Sequence, residues 1–384
     1  MAYYQRYLQL PKLLKRKSHF LFGPRATGKS TLIIQQLPHA VYINLLDSAT
    51  YFKLLNHPDQ LENLIEPQQA TQEGVVIDEI QLIPQLLNEV HRLIESKHWH
   101  FLLTGSSGRK LKRGQANLLA GRARQAQLHP LTYHEIPRFD LQHYLNFGGL
   151  PAIYTSDDPF DDLMAYTNTY LKEEIQAEAA VRKLASFSKF LELSAFMNGQ
   201  QLNFSELAND TGITATTIRE YYYLLEDTFM GFFLPCYQKT QKRKAVSRAK
   251  FYYFDMGVAH ALRNLRHVSP QSDDFGRAFE HFIGMEIRAY LNYRRTHLPL
   301  TYWQTRTGIE VDFLAGDQLA VEVKTTTNVQ NKHLKALKAL AEEHLFNQLI
   351  LVSQDPVIQY MDSLTIMPWQ TFLDKLWSDE LISI

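Results

Sequence analysis

The feature that most constrains this chain is a glycine-rich segment, Gly23 to Ser30, which fits the pattern G-x-x-x-x-G-K-[ST]. An apolar run, His19–Phe22, precedes it and the stretch Ser30–Gln36 follows it, so a strand, a tight turn and a helix are predicted in that order. Backbone N–H groups of such a turn wrap phosphates, and the helix N-terminus adds the positive end of its dipole. Lys29 is expected to reach the β- and γ-phosphates of ATP, and the Ser30 hydroxyl to bind Mg²⁺. The predicted nucleotide-binding residues are Gly23, Pro24, Arg25, Ala26, Thr27, Gly28, Lys29, Ser30 and Thr31.

Two acidic residues stand at the end of a later apolar run, Val75–Asp78. Asp78 is expected in the Mg²⁺ shell, and Glu79 is expected to polarise the water that attacks the γ-phosphate. The segment Thr104–Ser107 ends another apolar run, and its hydroxyls, Ser106 among them, are candidates for sensing the γ-phosphate or the water. A plain turn at that point is the alternative.

Arg122 is the candidate for the arginine that stabilises the transferring phosphate, either in its own subunit or in a neighbouring one. Arg124 and Arg109 are rivals for this role. An ordinary surface arginine explains the sequence equally well. A role in a neighbouring subunit requires a homo-oligomer.

The composition provides no overall charge that would attract nucleic acid or a membrane. Lys and Arg number 40, Asp and Glu number 40, and the formal net charge is zero. Binding to nucleic acid or to a membrane must therefore come from local patches. The single cysteine, Cys236, excludes an intrachain disulfide and is typical of a reducing compartment. No signal-peptide pattern opens the chain and no apolar stretch approaches the roughly 20 residues that span a bilayer, so a cytoplasmic protein without membrane contact is expected.

The order of apolar and amphipathic stretches divides the chain. The first third alternates short apolar runs with helical patterns, which predicts an α/β fold with a parallel sheet covered on both faces. The pattern after Pro130 is mainly helical, apart from the turn Gly148–Pro151. Two helices joined by a turn follow, and the last third returns to mixed α/β. The expected boundaries are an ATPase core at 1–133, a helical part at 134–195, a helix-turn-helix part at 196–262 and an α/β domain at 263–384.

The second helix of that pair, Thr214–Asp227, is a candidate for the DNA major groove. Acidic residues and three consecutive tyrosines on the same helix favour instead a packing or protein-contact module. The basic run after it could contact phosphates in a salt-dependent way, or form a solvated loop. The candidate groove residues are Thr214, Thr216, Thr217 and Arg219, and the cations of the run are Lys239, Lys242, Arg243, Lys244, Arg248 and Lys250.

Acidic residues and a lysine recur near the C-terminus in the order of the PD-(D/E)xK nuclease pattern. Asp312 lies on one predicted strand, and Glu322 and Lys324 share a face of the next. Asp312 and Glu322 can hold Mg²⁺ with Glu280 contributing from a helix, and Lys324 can orient water or stabilise the pentavalent phosphate. Glu310 shares a strand face with Asp312, so alternation leaves the choice between them open. A nuclease-like fold that binds without cutting, and a strand pair with solvent-facing charges, are the alternatives.

Together these motifs resemble the AAA+ superfamily, in particular a bacterial and archaeal group of ATP-binding proteins with a C-terminal domain of unknown function, DUF4143. Besides the phosphate loop, the motifs that carry the resemblance are Ile77–Gln81, Leu103–Ser106, Ala120–Arg122 and Gly148–Pro151. The resemblance covers nearly the whole chain. It implies a P-loop AAA+ core with a helical lid, a winged-helix-like middle and a C-terminal domain like restriction endonucleases, and it favours Asp312 as the metal ligand.

The main functional hypothesis is an ATP-hydrolysing, DNA-directed protein whose nucleotide state controls a nuclease-like domain. The alternatives are a nucleotide-switched signalling or interaction protein, and a Mg²⁺-dependent nuclease with an accessory ATPase. The intact E-x-K pair favours a nuclease, whereas the zero net charge and the mixed character of the candidate recognition helix disfavour strong DNA binding.

Overall fold

The computed structural model describes residues 3–68, 73–105, 119, 121–171 and 184–383, and two residues with predicted roles, Ser106 and Arg109, lie outside them. The strands are β1 Ser18–Phe22, β2 Val41–Asn44, β3 Val75–Asp78, β4 Phe101–Gly105, β5 Ala123–Gln127, β6 Gly231–Leu234, β7 Lys250–Tyr253, β8 Leu300–Gln304, β9 Glu310–Ala315, β10 Leu319–Val323, β11 Gln348–Ser353, β12 Gln359–Met361 and β13 Leu364–Pro368. The α-helices are Leu10–Leu14, Lys29–Gln36, Ser48–Asn56, Leu61–Ile65, Leu86–Lys97, Leu141–Phe147, Pro151–Tyr154, Pro159–Ala165, Leu184–Phe196, Phe204–Thr211, Ala215–Asp227, Met256–Leu262, Asp273–Arg294, Lys335–Ala341 and Trp369–Trp377. Within the described ranges, none of these helices has both the length and the apolar composition needed to cross a bilayer.

The core sheet has the strand order β2-β3-β4-β1-β5, and all its strands are parallel. Every residue of β1, β3 and β4 is buried, because apolar side chains pack on both faces of the sheet. The register brings the carboxyl ends of these three strands to one edge. Phe22 leads into the glycine-rich turn at that edge, and Asp78 ends β3 beside it. The predicted parallel α/β core is confirmed.

The middle part of the chain, as the segment from Phe204 to Tyr253 is named here, contains the two helices of the predicted pair, Phe204–Thr211 and Ala215–Asp227. The antiparallel hairpin β6–β7 follows them. Gly212 separates the helices at φ 71°, a conformation that glycine adopts without steric cost. The ring of Tyr222 is fully buried and packs on Phe190 and Phe251. The tyrosine run of the second helix therefore contributes to the core of the middle part, and only one face of that helix is open to a partner.

The C-terminal domain is built on a six-stranded sheet of order β12-β13-β11-β10-β9-β8. Its strands β8, β9 and β10 are antiparallel neighbours, whereas β10, β11 and β13 run parallel. The long helix Asp273–Arg294, named here the docking helix, packs on one face with Trp369–Trp377, and Lys335–Ala341 packs on the other. Gly284 allows this approach, since a Cβ there would lie 2.4 Å from the Phe313 ring.

The docking helix also attaches the C-terminal domain to the core. Tyr293 accepts a hydrogen bond from the His129 backbone N–H at 3.1 Å, and Glu286 accepts one from the Tyr133 N–H at 2.7 Å. Glu286 also accepts from the Trp377 indole at 2.8 Å, and burial raises its pKa to about 8. The segment after β5 is thereby held against the docking helix.

A buried guanidinium, Arg6, ties the N-terminal segment to the glycine-rich turn. Its Nε donates to Glu135 at 2.9 Å and its Nη1 donates to the carbonyl oxygen of Thr27 at 2.9 Å. Glu135 also accepts from the Thr132 N–H at 3.0 Å. The two charged side chains are only 4% and 0% exposed. A buried pair of this kind is tolerated only where its hydrogen-bonding groups have partners.

We expect Glu135→Ala to destabilise the protein by about 3–5 kcal/mol, because it leaves the Arg6 charge buried without its carboxylate. Urea denaturation of variant and wild type measures the loss. Asp161→Ala, which removes an exposed pair with Arg266 at 3.7 Å, is the matched control and should cost less than about 1 kcal/mol. Equal losses in the two variants would contradict the expectation.

Candidate functional site

The glycine-rich turn joins β1 to the helix Lys29–Gln36. Gly23 has φ 151°, and a Cβ there would lie 2.6 Å from the carbonyl oxygen of Leu128. Gly28 precedes the helix at φ 91°. Both positions require glycine for conformation or for space. The turn directs the helix N-terminus, with the exposed Ser30 and Thr31, toward the edge where β3 and β4 end; Pro24 is buried, Arg25 half-buried and Ala26 exposed.

Lys29 lies inside this turn. Its side chain is 7% exposed, and Nζ donates to the carbonyl oxygens of Gly23 at 2.7 Å and Pro24 at 3.0 Å. The Thr27 hydroxyl donates to the same Pro24 oxygen at 2.8 Å. Charged phosphate oxygens are stronger acceptors for an ammonium group than peptide carbonyls are. The turn therefore holds a cation where phosphate can replace its neutral partners.

Asp78 is the centre of a network of hydroxyl groups. Ser30 Oγ donates to its Oδ2 at 3.5 Å, and the hydroxyls of Tyr42 and Thr104 donate to Oδ2 and Oδ1. Burial and the bond to Asp78 raise the pKa of Tyr42, so this hydroxyl stays a donor. Ser30 and Asp78, the two predicted Mg²⁺ ligands, are thus neighbours. Their hydroxyl and carboxylate oxygens are ligands that suit Mg²⁺.

Glu79 has the left-handed conformation, with φ 61°, which is uncommon outside glycine. Its backbone N–H donates to Thr104 Oγ1 at 3.1 Å, and its carboxylate accepts from the Gln81 amide. No local pattern gives Gln81 a role, although it belongs to the motif Ile77–Gln81. Thr104 contacts both acidic residues, so it fixes one relative to the other.

Arg122 lies at the opposite edge of the core sheet from the glycine-rich turn. It directly precedes β5, whose first residue pairs with Ser18 at the start of β1, whereas the turn follows Phe22 at the end of β1. Its guanidinium pairs with Glu95. Arg124 lies near the same edge. Action of either arginine on the nucleotide of its own subunit is inconsistent with this register, and only the role in a neighbouring subunit stays a prediction.

Asp312, Glu322 and Lys324 are neighbours at β9 and β10. Asp312 Oδ2 accepts from the Val323 N–H at 2.7 Å, and Lys324 Nζ donates to Glu322 Oε1 at 2.5 Å. Glu322 Oε2 is buried and has no hydrogen-bond partner among the described residues. Burial and the nearby Glu322 charge raise the pKa of Asp312, and burial raises that of Glu322 to about 7.

Glu280 is engaged differently from the prediction. Its Oε1 accepts from the Tyr252 hydroxyl at 2.5 Å and pairs with Lys250 Nζ at 3.5 Å. In the part of the chain that the structure describes, no group of three or more His, Cys, Asp or Glu side chains is placed to hold a metal ion. The expected Mg²⁺ site of Glu280, Asp312 and Glu322 is therefore not assembled in this arrangement. The last two are the residues left for a cation.

Three of the six cations of the basic run, Lys239, Arg243 and Lys250, pair with acidic side chains. Lys250 is 3% exposed and forms ion pairs with Glu280 and Glu310, so its assignment to a phosphate-binding loop was wrong. Burial alone would lower the pKa of Lys250, but the nearby tyrosine and carboxylates outweigh it, so the pKa is raised overall. Other cations of the run contact the C-terminal domain: Lys239 with Asp317 at 3.2 Å, Lys242 with the Glu342 carbonyl at 2.5 Å, and Arg243 with the Glu342 carboxylate at 2.7 Å.

The candidate groove helix keeps an exposed polar face at its start. Thr214 caps the helix by accepting from the Thr217 N–H at 3.3 Å. Thr216 and Arg219 are exposed, as are Lys244 and Arg248 of the basic run. These are the positions at which a phosphate backbone could be contacted without breaking a packed core.

We expect Thr104→Val to lower the kcat for ATP hydrolysis by about ten- to a hundredfold. The change removes one hydrogen bond to a carboxylate and one to the Glu79 backbone, each in a buried setting. Thr104→Ser keeps the hydroxyl and should keep most of the activity. Steady-state ATP turnover measures both, and equal losses in the two variants would contradict the positioning role.

Comparison with known proteins divides the chain among three families. Residues 15–137 match the AAA domain family, residues 138–269 match the domain of unknown function DUF8612, and residues 275–372 match the domain of unknown function DUF4143. An uncharacterized protein of Methanocaldococcus jannaschii is 23% identical over 90% of this chain and 84% of its own length. One of Haemophilus influenzae is 25% identical over 62% of this chain and 68% of its own length.

Two solved structures are distant in shape as well as in sequence. A Walker-type ATPase of Pyrococcus abyssi is 16% identical, with a TM-score of 0.45, over 66% of this chain and 93% of its own. The Aeropyrum pernix Orc1 protein, solved in complex with DNA, is 12% identical, with a TM-score of 0.28, over 68% of this chain and 93% of its own. The motifs, the parallel core sheet and the matched families lead to one assignment. Residues 15–137 of the chain form an AAA domain with a P-loop, and residues 275–372 form a C-terminal DUF4143 domain.

Proposed function

We propose that this chain binds ATP with Mg²⁺ and hydrolyses it, and that its nucleotide state controls a DNA-directed, nuclease-like C-terminal domain. The observation that carries the first part is the network at Asp78. Hydroxyls of Ser30, Tyr42 and Thr104 hold this carboxylate beside the turn that contains Lys29. A phosphate loop, an acidic Mg²⁺ ligand and a residue that orients water are the parts that phosphoryl transfer to water requires.

Each of these side chains has a distinct task in the proposed reaction. Lys29 exchanges the loop carbonyls for β- and γ-phosphate oxygens and neutralises their charge. Ser30 and Asp78 would hold Mg²⁺, which would supply positive charge to stabilise the negative charge that develops on the transferring phosphate. Glu79 orients and polarises the attacking water, and Thr104 keeps it in position relative to Asp78.

Arg122 fits this scheme only across a subunit boundary. We therefore propose a homo-oligomer in which Arg122 of one subunit stabilises the phosphate transferred in the next. Turnover per molecule should fall on dilution below the dissociation constant of the oligomer. Constant turnover through the dilution series would contradict this part.

The proposed control of the C-terminal domain follows a chain of contacts. A Cβ at Gly28 would lie 3.7 Å from Pro151 Cγ, so the phosphate loop packs against the Gly148–Pro151 turn. In that turn the Gly149 N–H donates to Asp255 at 2.8 Å. Asp255 lies just beyond β7, and β7 supplies Lys250 to the C-terminal acidic residues. A shift of the loop on hydrolysis would therefore reach the strand that contacts them.

The support for DNA as the partner is the set of exposed polar and cationic positions in the middle part, Thr216, Arg219, Lys244 and Arg248. The second candidate function is a nucleotide-switched interaction protein without cleavage. One observation favours it: Glu280 pairs with Lys250 and does not join Asp312 and Glu322 in a metal site. A cytoplasmic location is proposed on the ATP requirement and on the buried free thiol of Cys236.

The decisive experiment measures ATP turnover with and without single-stranded, duplex and branched DNA, and assays the same tubes for cleavage with Mg²⁺ or Mn²⁺. Lys29→Ala and Glu322→Ala are the controls. DNA-stimulated turnover with cleavage lost in Glu322→Ala would support the first proposal. ATP turnover that is the same with and without every DNA, together with no cleavage, would refute the first proposal. The nucleotide-switched interaction protein would then be the function that remains.

We expect Glu79→Gln to lower kcat by about 10²–10⁴-fold, because the amide cannot accept a proton from the water. ATP affinity should stay close to that of wild type, since Lys29 and the turn are untouched. Lys29→Ala should lose ATP affinity instead. Glu66→Gln, an exposed change in the same domain, is the control and should change neither. Binding of a fluorescent ATP analogue alongside turnover separates these outcomes, and loss of affinity in Glu79→Gln would contradict the assigned role.

A further inference from the structure

Lys250 is an unusual residue for the C-terminal acidic cluster, because it comes from another part of the chain. It begins β7 of the middle hairpin, whereas Glu280 lies on the docking helix and Glu310 on β9. Its side chain is 4% exposed and forms ion pairs with both carboxylates. A buried lysine is costly without such partners. The ammonium group of Lys250 therefore links all three elements.

The ammonium is placed at a cleft rather than in a closed core. Lys250, Glu280 and Glu310 line a cleft of about 500 Å³, together with Tyr252 and Arg277. The Tyr302 ring lies 5.2 Å from Lys250 Nζ, and the Tyr252 hydroxyl donates to Glu280 at 2.5 Å. The cation thus has carboxylates, a ring and the open cleft around it.

Two further carboxylates of the cluster, Asp312 and Glu322, are buried without enough positive charge around them. Asp312 and Glu322 are both at least nine-tenths buried, and Glu322 Oε2 has no hydrogen-bond partner in the described structure. Buried carboxylate oxygens without partners are destabilising, and a cation is a way to satisfy them. Lys324 Nζ donates to Glu322 Oε1 at 2.5 Å and to the Val323 carbonyl oxygen at 3.1 Å, and Glu322 Oε2 is left without a partner among the described residues. Asp312 and Glu322 form the inner pair of the cluster, and Glu280 and Glu310 form the outer pair. Lys250 neutralises the outer pair, whereas Glu322 Oε2 of the inner pair still lacks a partner in the described structure.

We propose that Lys250 is the resident cation of this site, and that it keeps Glu280 and Glu310 from joining Asp312 and Glu322 around a divalent metal ion. While β7 is docked, a metal ion has only the inner pair of carboxylates and is held weakly. Withdrawal of Lys250 would free the Glu280 and Glu310 carboxylates from their ion pairs, and with Asp312 and Glu322 they would supply the oxygen ligands that suit Mg²⁺ or Mn²⁺. The inference deepens the proposed function of the C-terminal domain, but its test needs neither ATP hydrolysis nor DNA cleavage.

The test is a titration of the full-length protein with Mn²⁺ in the absence of nucleotide, by calorimetry and by thermal unfolding. Lys250→Met should bind one Mn²⁺ at least about tenfold more tightly than wild type, and Mn²⁺ should raise its Tm more. Lys250→Arg keeps the positive charge and should behave as wild type. Equal Mn²⁺ affinity in wild type and Lys250→Met would overturn the proposal.

Two further variants locate the metal and guard against misfolding. The tighter binding should disappear in Lys250→Met/Asp312→Asn, and its persistence would place the ion elsewhere and overturn the proposal. If Lys250→Met does not fold, Lys250→Met/Glu310→Gln restores the local charge balance and still opens Glu280 to the inner pair. This variant should bind Mn²⁺ more tightly than wild type, and equal binding would again overturn the proposal. Failure of the ATPase proposal would appear in Lys29→Ala turnover and would leave these titrations unchanged.

Discussion

The buried guanidinium of Arg6 is the interaction on which the rest of the arrangement depends. It donates to the carbonyl oxygen of Thr27 in the phosphate loop and to Glu135 beyond β5. Glu135 orders the segment whose Tyr133 N–H donates to Glu286 of the docking helix. The buried charge of Arg6 is tolerated only while its acceptors, the Glu135 carboxylate and the Thr27 carbonyl oxygen among them, are in place. The shape of the phosphate loop and the attachment of the C-terminal domain are therefore coupled through one side chain.

A second connection runs through the middle part, and it differs in kind from the first. The Gly149 N–H donates to Asp255, and a Cβ at Gly148 would lie 2.0 Å from the same carboxylate. Burial raises the pKa of Asp255 to about 6, although backbone N–H groups oppose the shift. The Gly-Gly turn is thus shaped by close packing as well as by a charge. The phosphate loop contacts this turn at Pro151, so both connections begin at the nucleotide site and end at the C-terminal domain.

The sequence predicted most of the core and little of what joins the parts. The strand, turn and helix around Gly23–Ser30 are readable because each obeys a local rule, and Asp78 ends its apolar run as expected. The helix Trp369–Trp377 was missed although Trp369, Phe372, Leu373 and Leu376 have helical spacing, so its signal was present. The ion pair of Lys250 with Glu310 spans 60 residues, and no local pattern reveals such a contact. The choice among the roles open to Arg122 was unreadable for a related reason, since its place depends on the register of β5 against β1.

The two candidate sites hold their lysines in different ways. In the phosphate loop, Lys29 donates to carbonyls of its own turn, which are weak partners that phosphate can replace. In the acidic cluster, Lys250 pairs with two carboxylates from other elements, which are strong partners. The first lysine can be recruited by a ligand alone, because it exchanges neutral acceptors for charged ones. Lys250 gains no new partner when it leaves the two carboxylates, so its release requires a movement of β7. Such a movement can be transmitted through Asp255, which follows β7 and binds the turn that contacts the phosphate loop.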